Sequence, residues 1–110
     1  MLVLTTPEVQ GKKIVKYLGI VSGESIIGAD FIREFISALK HLRGGRSEEY
    51  EEELERAKKT ALEEMITEAE KLGANSIIGA RMDYEALSSE TYSMLMVCVS
   101  GTAVILEEDQ

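Results

Sequence analysis

Apolar and polar positions follow two periods along the chain, and the switches between them mark the elements. Residues 2–5 predict a short strand that ends at Thr6-Pro7. Residues 13–27 are rich in Val, Ile and Tyr and predict a long strand. Gly19 and Gly23 inside it predict a bend or bulge, because glycine weakens a regular strand and tolerates unusual backbone angles. The period then changes. Asp30 is a good helix N-cap, and Phe31, Ile32, Phe35, Ile36, Leu39 and Leu42 follow at three- to four-residue spacing. That is one apolar face of a helix, stopped by Gly44-Gly45.

A second helix is predicted over residues 47–72. Ser47 caps it, and the acidic residues that follow suit the positive end of the helix dipole. Tyr50, Leu54, Ala57, Ala61, Met65, Ala69 and Leu72 form its apolar stripe, widened by Leu62 and Ile66. Glu52–Arg56 and Glu55–Lys59 are spaced for ion pairing in the favourable order. Gly73 is placed to close the helix.

Two strands end the chain. In residues 74–84, strict alternation puts Ile77, Gly79, Arg81 and Asp83 on one side and Ile78, Ala80, Met82 and Tyr84 on the other. In residues 92–107, Met94, Met96, Cys98, Val104 and Leu106 face one way, and Leu95, Val97, Val99, Ala103 and Ile105 the other. Both sides of this last strand are apolar, so both should be buried. Helices of the same chain can cover one; the other calls for a second subunit. The predicted order is β-β-α-α-β-β. The class is α+β, two helices on one face of a mainly antiparallel sheet, with copies assembling into an oligomer.

Composition narrows the chemistry. The 110 residues fit a single domain, 1–110. A net charge of −8 argues against nucleic acid as a partner, which asks for a basic surface. Residues 1–9 lack the basic start and long apolar run of a signal peptide. No stretch of about 18 uncharged apolar residues predicts a membrane span. The expected location is the cytoplasm, where the single Cys98 stays reduced.

Cys98 and His41 are the only cysteine and histidine, so one chain cannot supply the clustered Cys and His ligands of a zinc site. Copies of Cys98, with Met94 and Met96 on the same strand face, can still meet in an oligomer and hold a soft metal; the plainer reading of all three is core packing. For a hard cation, Asp83 and Glu85 point to the same face of a strand and can converge on one ion, and Glu24 and Asp30 offer carboxylates near the other glycine-rich turn; the plainer reading is a solvated strand end. Gly23 and Gly28 have phosphate-loop spacing, but Ala29 and Asp30 stand where Lys and Ser or Thr are needed. Gly44-Gly45-Arg46 before a helix start is a candidate anion site; alternatively Arg46 pairs with a carboxylate. Catalysis has little support, with no Ser-His-Asp or Cys-His order and no carboxylate pair with assignable roles.

Several motifs resemble one family in the order in which they occur. They are Gly19-Ile-Val-Ser-Gly-Glu-Ser-Ile-Ile-Gly28, Gly44-Gly-Arg-Ser-Glu-Glu-Tyr50, Leu72-Gly-Ala-Asn75, Asp83-Tyr-Glu85, Met94-Leu-Met-Val97 and Ser100-Gly-Thr-Ala-Val104. Together they resemble the YbjQ-like family, small bacterial and archaeal proteins of unestablished function with a heavy-metal-binding label. The resemblance implies an α+β subunit that assembles into a ring, a pentamer. It points to a homo-oligomeric binding protein with a metal ion or small ligand at subunit interfaces. Glu24, Arg46, Asp83, Tyr84 and Glu85 are the ligand candidates and Cys98 the metal candidate. Two alternatives stand beside it: an enzyme with a composite inter-subunit site of Arg46, Asp83, Tyr84 and Glu85, and a purely structural assembly module.

Overall fold

The computed structural model describes residues 1–28, 48–88 and 93–109. Their elements are β1 (Leu2–Val3), β2 (Lys12–Ile27), α1 (Glu48–Lys71), β3 (Ser76–Ser88) and β4 (Ser93–Glu108). The class is α+β, and β2, α1 and β4 fall within a residue of the predicted bounds. The helix predicted over residues 30–42, with its cap and Gly44-Gly45, lies outside the described residues. The described architecture is therefore one helix on one face of a four-stranded sheet.

The sheet order is β1-β3-β4-β2. β4 lies between β3 and β2 and runs antiparallel to both. β1 pairs with β3 in parallel, so the sheet is mixed. The parallel pair follows from connectivity, because β2 and α1 intervene and bring the chain back in the same direction. Residues beyond β1 prolong its contact: the amide of Leu4 donates to Ile77 O at 2.9 Å, and those of Gly79 and Ala80 donate to Thr6 O and Leu4 O at 2.8 and 2.9 Å.

The helix, about 36 Å long at 1.5 Å per residue, packs on β2 and β4. Its predicted stripe forms the core: Ala57, Ala61, Met65 and Ala69 are buried against Val21, Ile27, Ile77, Val97, Val99 and Ala103. Small side chains at this line bring the two backbones together. Gly23 is the point of closest approach, where a Cβ would collide with the Ala61 carbonyl and stand 2.8 Å from Met65 N. Leu72, predicted as the end of the stripe, is instead exposed. The helix has already closed there: Gly73, at φ +87°, donates to Glu70 O and Ala74 donates to Ala69 O, at 3.0 and 3.1 Å. These are the two bonds of a Schellman ending. The surface ion pairs differ from those predicted: Arg56 pairs with Glu53, Lys58 with Glu55 and Lys59 with Glu63. Exposed pairs of this kind contribute little stability, so the register of the helix does not depend on them.

Bulges change the pleat. β2 shifts register between Ile14 and Lys16 and again between Tyr17 and Gly19; Gly19 takes φ +118°, which bears out the predicted irregularity there. In β3 the shift lies between Ile78 and Arg81, at Gly79 with φ +59°. This extra residue overturns the strict alternation predicted for β3. Ile77 lies on the helix side with Ala80 and Met82, while Ile78 lies on the other side, away from its predicted companions Met82 and Tyr84.

The side of the sheet away from α1 has a small core of its own. Ile78, Val104 and Leu106 are buried there under Val9 and Ile14. Asn75 holds this end together. Its Nδ2 donates to Leu106 O and its Oδ1 accepts from Leu106 N, both at 2.9 Å, so the side chain prolongs the backbone ladder. The expectation that β4 is buried on both sides is met in full only here. Toward its other end Met94, Met96 and Cys98 are half-buried.

Candidate functional site

The candidate residues gather toward the far end of the sheet, on the face away from α1, where three strands supply side chains in register. Residues directly opposite in neighbouring strands share a face. Glu24 is opposite Cys98, and Cys98 opposite Asp83. The next row is Ile26–Met96–Glu85, and the row on the other side is Ser22–Ser100–Arg81. Glu24, Cys98, Asp83 and Glu85 therefore form one patch. Its outer carboxylates stand about 10 Å apart at the backbone, two strand spacings. Arg81 Nε donates to Asp83 Oδ1 at 3.2 Å, both groups well exposed.

The patch acts on the thiol. Burial pushes the Cys98 thiol up from its ordinary range, and the negative charges of Glu24, Glu85 and Asp83 push it further the same way. Each disfavours a thiolate: burial because a buried charge loses hydration, the carboxylates because like charges repel.

Tyr84 is not part of this patch. It lies on the helix side, where its hydroxyl donates to Met82 Sδ at 3.5 Å. It also helps Glu55, the stronger influence, to raise the Lys58 ammonium above its ordinary range. The fold thus brings Glu24, Asp83, Glu85 and Cys98 together and sets Tyr84 apart. Arg46 and His41 lie outside the described residues.

Sequence reasoning named Glu24 and Cys98 separately and did not pair them. The pairing depends on a register between residues far apart in the chain, which no local pattern carries. It also passed over Ile20 and Ile26, which share the Glu24 face and are 82% and 57% exposed. Period two from Glu24 was the signal available for them.

The chain is similar to known proteins. Residues 1–107 match the model of a family described as "Putative heavy-metal-binding". A crystal structure of a protein with unknown function from Pediococcus pentosaceus ATCC 25745, of the DUF74 family, is also similar. It is 16% identical, with 97% of this chain and 98% of that chain covered and a TM-score of 0.67. At that identity the likeness shows a shared fold.

The described donors of this patch do not fit a soft heavy metal. Such ions take thiolates and imidazoles, and this patch offers one thiol, held protonated, among carboxylates. Among the described residues no group of three or more His, Cys, Asp or Glu is arranged to hold a metal ion. Nor is any described helix long and apolar enough to cross a membrane.

Proposed function

This chain belongs to the YbjQ-like family, and we propose that it is a homo-oligomeric binding protein, a pentameric ring that holds a cation against the acidic face of its subunits, away from α1. The observation that carries this reading is the Glu24–Cys98–Asp83 row with Glu85 beside it. Three carboxylates lie on the face of the sheet away from α1, and their summed charge attracts cations. Their oxygens suit a hard divalent ion such as Mn²⁺ or Mg²⁺ better than a soft one. The described residues of one subunit lack a complete ligand set, and a neighbouring subunit is the natural source of the missing donors.

The half-covered far end of β4 supports assembly, and the number five comes from the family resemblance. The working compartment is the cytoplasm, where Cys98 stays a thiol. Binding is favoured over catalysis because Tyr84 stands on the opposite face from Asp83 and Glu85.

Native mass spectrometry and equilibrium dialysis against Mn²⁺, Zn²⁺ and Cd²⁺ test the proposal together. The expected species is five times 12.2 kDa, about 61 kDa, taking up Mn²⁺ in preference to Cd²⁺ and losing that uptake in Glu24→Gln. A ring that takes up none of the three at micromolar concentration removes the ligand and leaves an assembly module. A 12.2 kDa monomer removes the ring.

A further inference from the structure

The two outer strands of the sheet are protected along only part of their length. β2 is an edge strand, since β4 is its one neighbour among the described residues. Its first half carries Lys12, Lys13 and Lys16 and both register shifts. Lysines and bulges are the usual means of keeping an edge from pairing with another chain. Residues 20–27 have neither. There the register with β4 is regular, and Ile20 and Ile26 are exposed.

The other edge is divided in the same way. β1 and the residues after it cover β3 as far as Ala80, whose amide donates to Leu4 O at 2.9 Å. From Arg81 to Ser88 no described strand lies alongside.

Backbone direction shows which groups each bare edge presents. The Ser22 amide points off the sheet, donating to Glu68 Oε2 at 3.3 Å. Alternation then turns the amides and carbonyls of Glu24 and Ile26 outward as well. On β3 the outward Ala80 amide implies the same for Met82, Tyr84 and Ala86. The two bare stretches also lie at one level across β4, as the rows through Cys98 and Met96 establish. They are unlike edges of matched length, on opposite sides of the same sheet.

We propose that copies of this chain join head to tail through these edges, residues 22–27 of one copy adding in parallel to residues 81–86 of the next. The inference rests on the homo-oligomeric reading and specifies its joint. Unlike edges make a heterologous contact, which closes into a ring when the rotation between copies closes and otherwise runs on as a filament. In this register an outward-bonding residue sits beside an inward-bonding one, which sets Ser25 of one copy next to Tyr84 of its neighbour, both on the helix side. One pleat further on, Ser25 meets Ala86. The joint also brings Glu24 toward Asp83 and Glu85 of the next copy. A cation bound there offsets their like charges.

Cysteine cross-linking tests this directly. In a Cys98→Ser background, Ser25→Cys is combined with Tyr84→Cys, or with Ala86→Cys for the neighbouring register, and the assembled protein is mildly oxidised. Within one chain these positions are two strand spacings apart, about 10 Å. That exceeds the roughly 7 Å limit for a disulfide, so any bond formed links two copies. The expected result is a ladder of covalent multimers up to the full ring on a non-reducing gel, collapsing on reduction, with either single cysteine giving monomer. A native ring that yields no ladder with either pair overturns the joint and leaves the assembly standing. Dimers from Ser25→Cys alone indicate a two-fold joint between β2 strands and overturn it as well. A wild-type chain that is monomeric by native mass spectrometry removes the joint and the assembly together.

Discussion

β4 has two apolar faces that end in different surroundings. On the helix side Val97 and Val99 are 0% and 2% exposed, closed over by the alanines and Met65 of α1 and by Val21 of β2. On the other side Met96 and Cys98 are half-buried, flanked by Ile26 and Glu85 in one row and by Glu24 and Asp83 in the next. The residues of the two faces are similar in hydrophobicity. Their neighbours differ. A strand's own pattern shows that it tolerates burial on both sides, but the elements laid against it decide which side is buried and how far along. The open side is where carboxylates collect, because charged groups keep their water there.

Substitutions at the closed face should cost most. Val97→Asp places a carboxylate without a partner beneath α1, and a loss of more than about 4 kcal/mol is expected, enough to unfold the subunit. A folded far-UV circular dichroism spectrum from this variant would mean that the helix side is not sealed. Gly23→Ala tests the same face more gently. The added methyl meets the Ala61 carbonyl, so the helix must lift or tilt, at a cost of about 2–3 kcal/mol by chemical denaturation. An unchanged midpoint would show that α1 does not bear on β2 at that point.

Asn75→Ala tests the small core at the near end of the side away from α1. It removes both bonds to Leu106 and is expected to cost about 1–3 kcal/mol. Native-state hydrogen exchange should show the Leu106 amide losing protection, and retained protection would mean that another group takes over the bond.

On the open face the effects shrink and become chemical. Cys98→Ser should cost under about 1 kcal/mol in the isolated subunit, as a thermal melt would register. Because the thiol is pushed up, its thiolate fraction at pH 8 lies below that of free cysteine, and alkylation by iodoacetamide should be correspondingly slow. Raising the pH speeds the reaction. Glu24→Gln or Asp83→Asn removes a nearby negative charge, lowers the thiol's proton affinity and speeds it at fixed pH. Equal rates in wild type and both variants would show that these carboxylates do not act on Cys98.

Much of the closed face was legible in the sequence. The four-residue recurrence from Ala57 to Ala69 named the helix contacts, and period two along residues 94–106 sorted β4 correctly onto its two sides. The β3 pattern misled because Gly79 adds a residue to the pleat, and a positive-φ glycine inside a strand looks in sequence like any other weak point. The open face was legible only in parts. That Asp83 and Glu85 share a side, with Tyr84 opposite, follows from alternation. That Glu24 stands across from Cys98 follows from the pairing of β2 with β4, which is settled by two bulges and by the seat of Gly23 under α1. None of these is a local preference.

The extra residue at Gly79 also works as a phase shifter. Upstream of it, odd-numbered side chains of β3 face the helix; downstream, even-numbered ones do. A deletion at this one position would do more than shorten a strand. It would turn residues 81–88 over, driving Asp83 and Glu85 under α1 and presenting Met82 and Tyr84 to the outside. Whether this sheet offers the world an acidic surface or an oily one is thus set by counting, one residue more or less, at a site that itself carries no side chain.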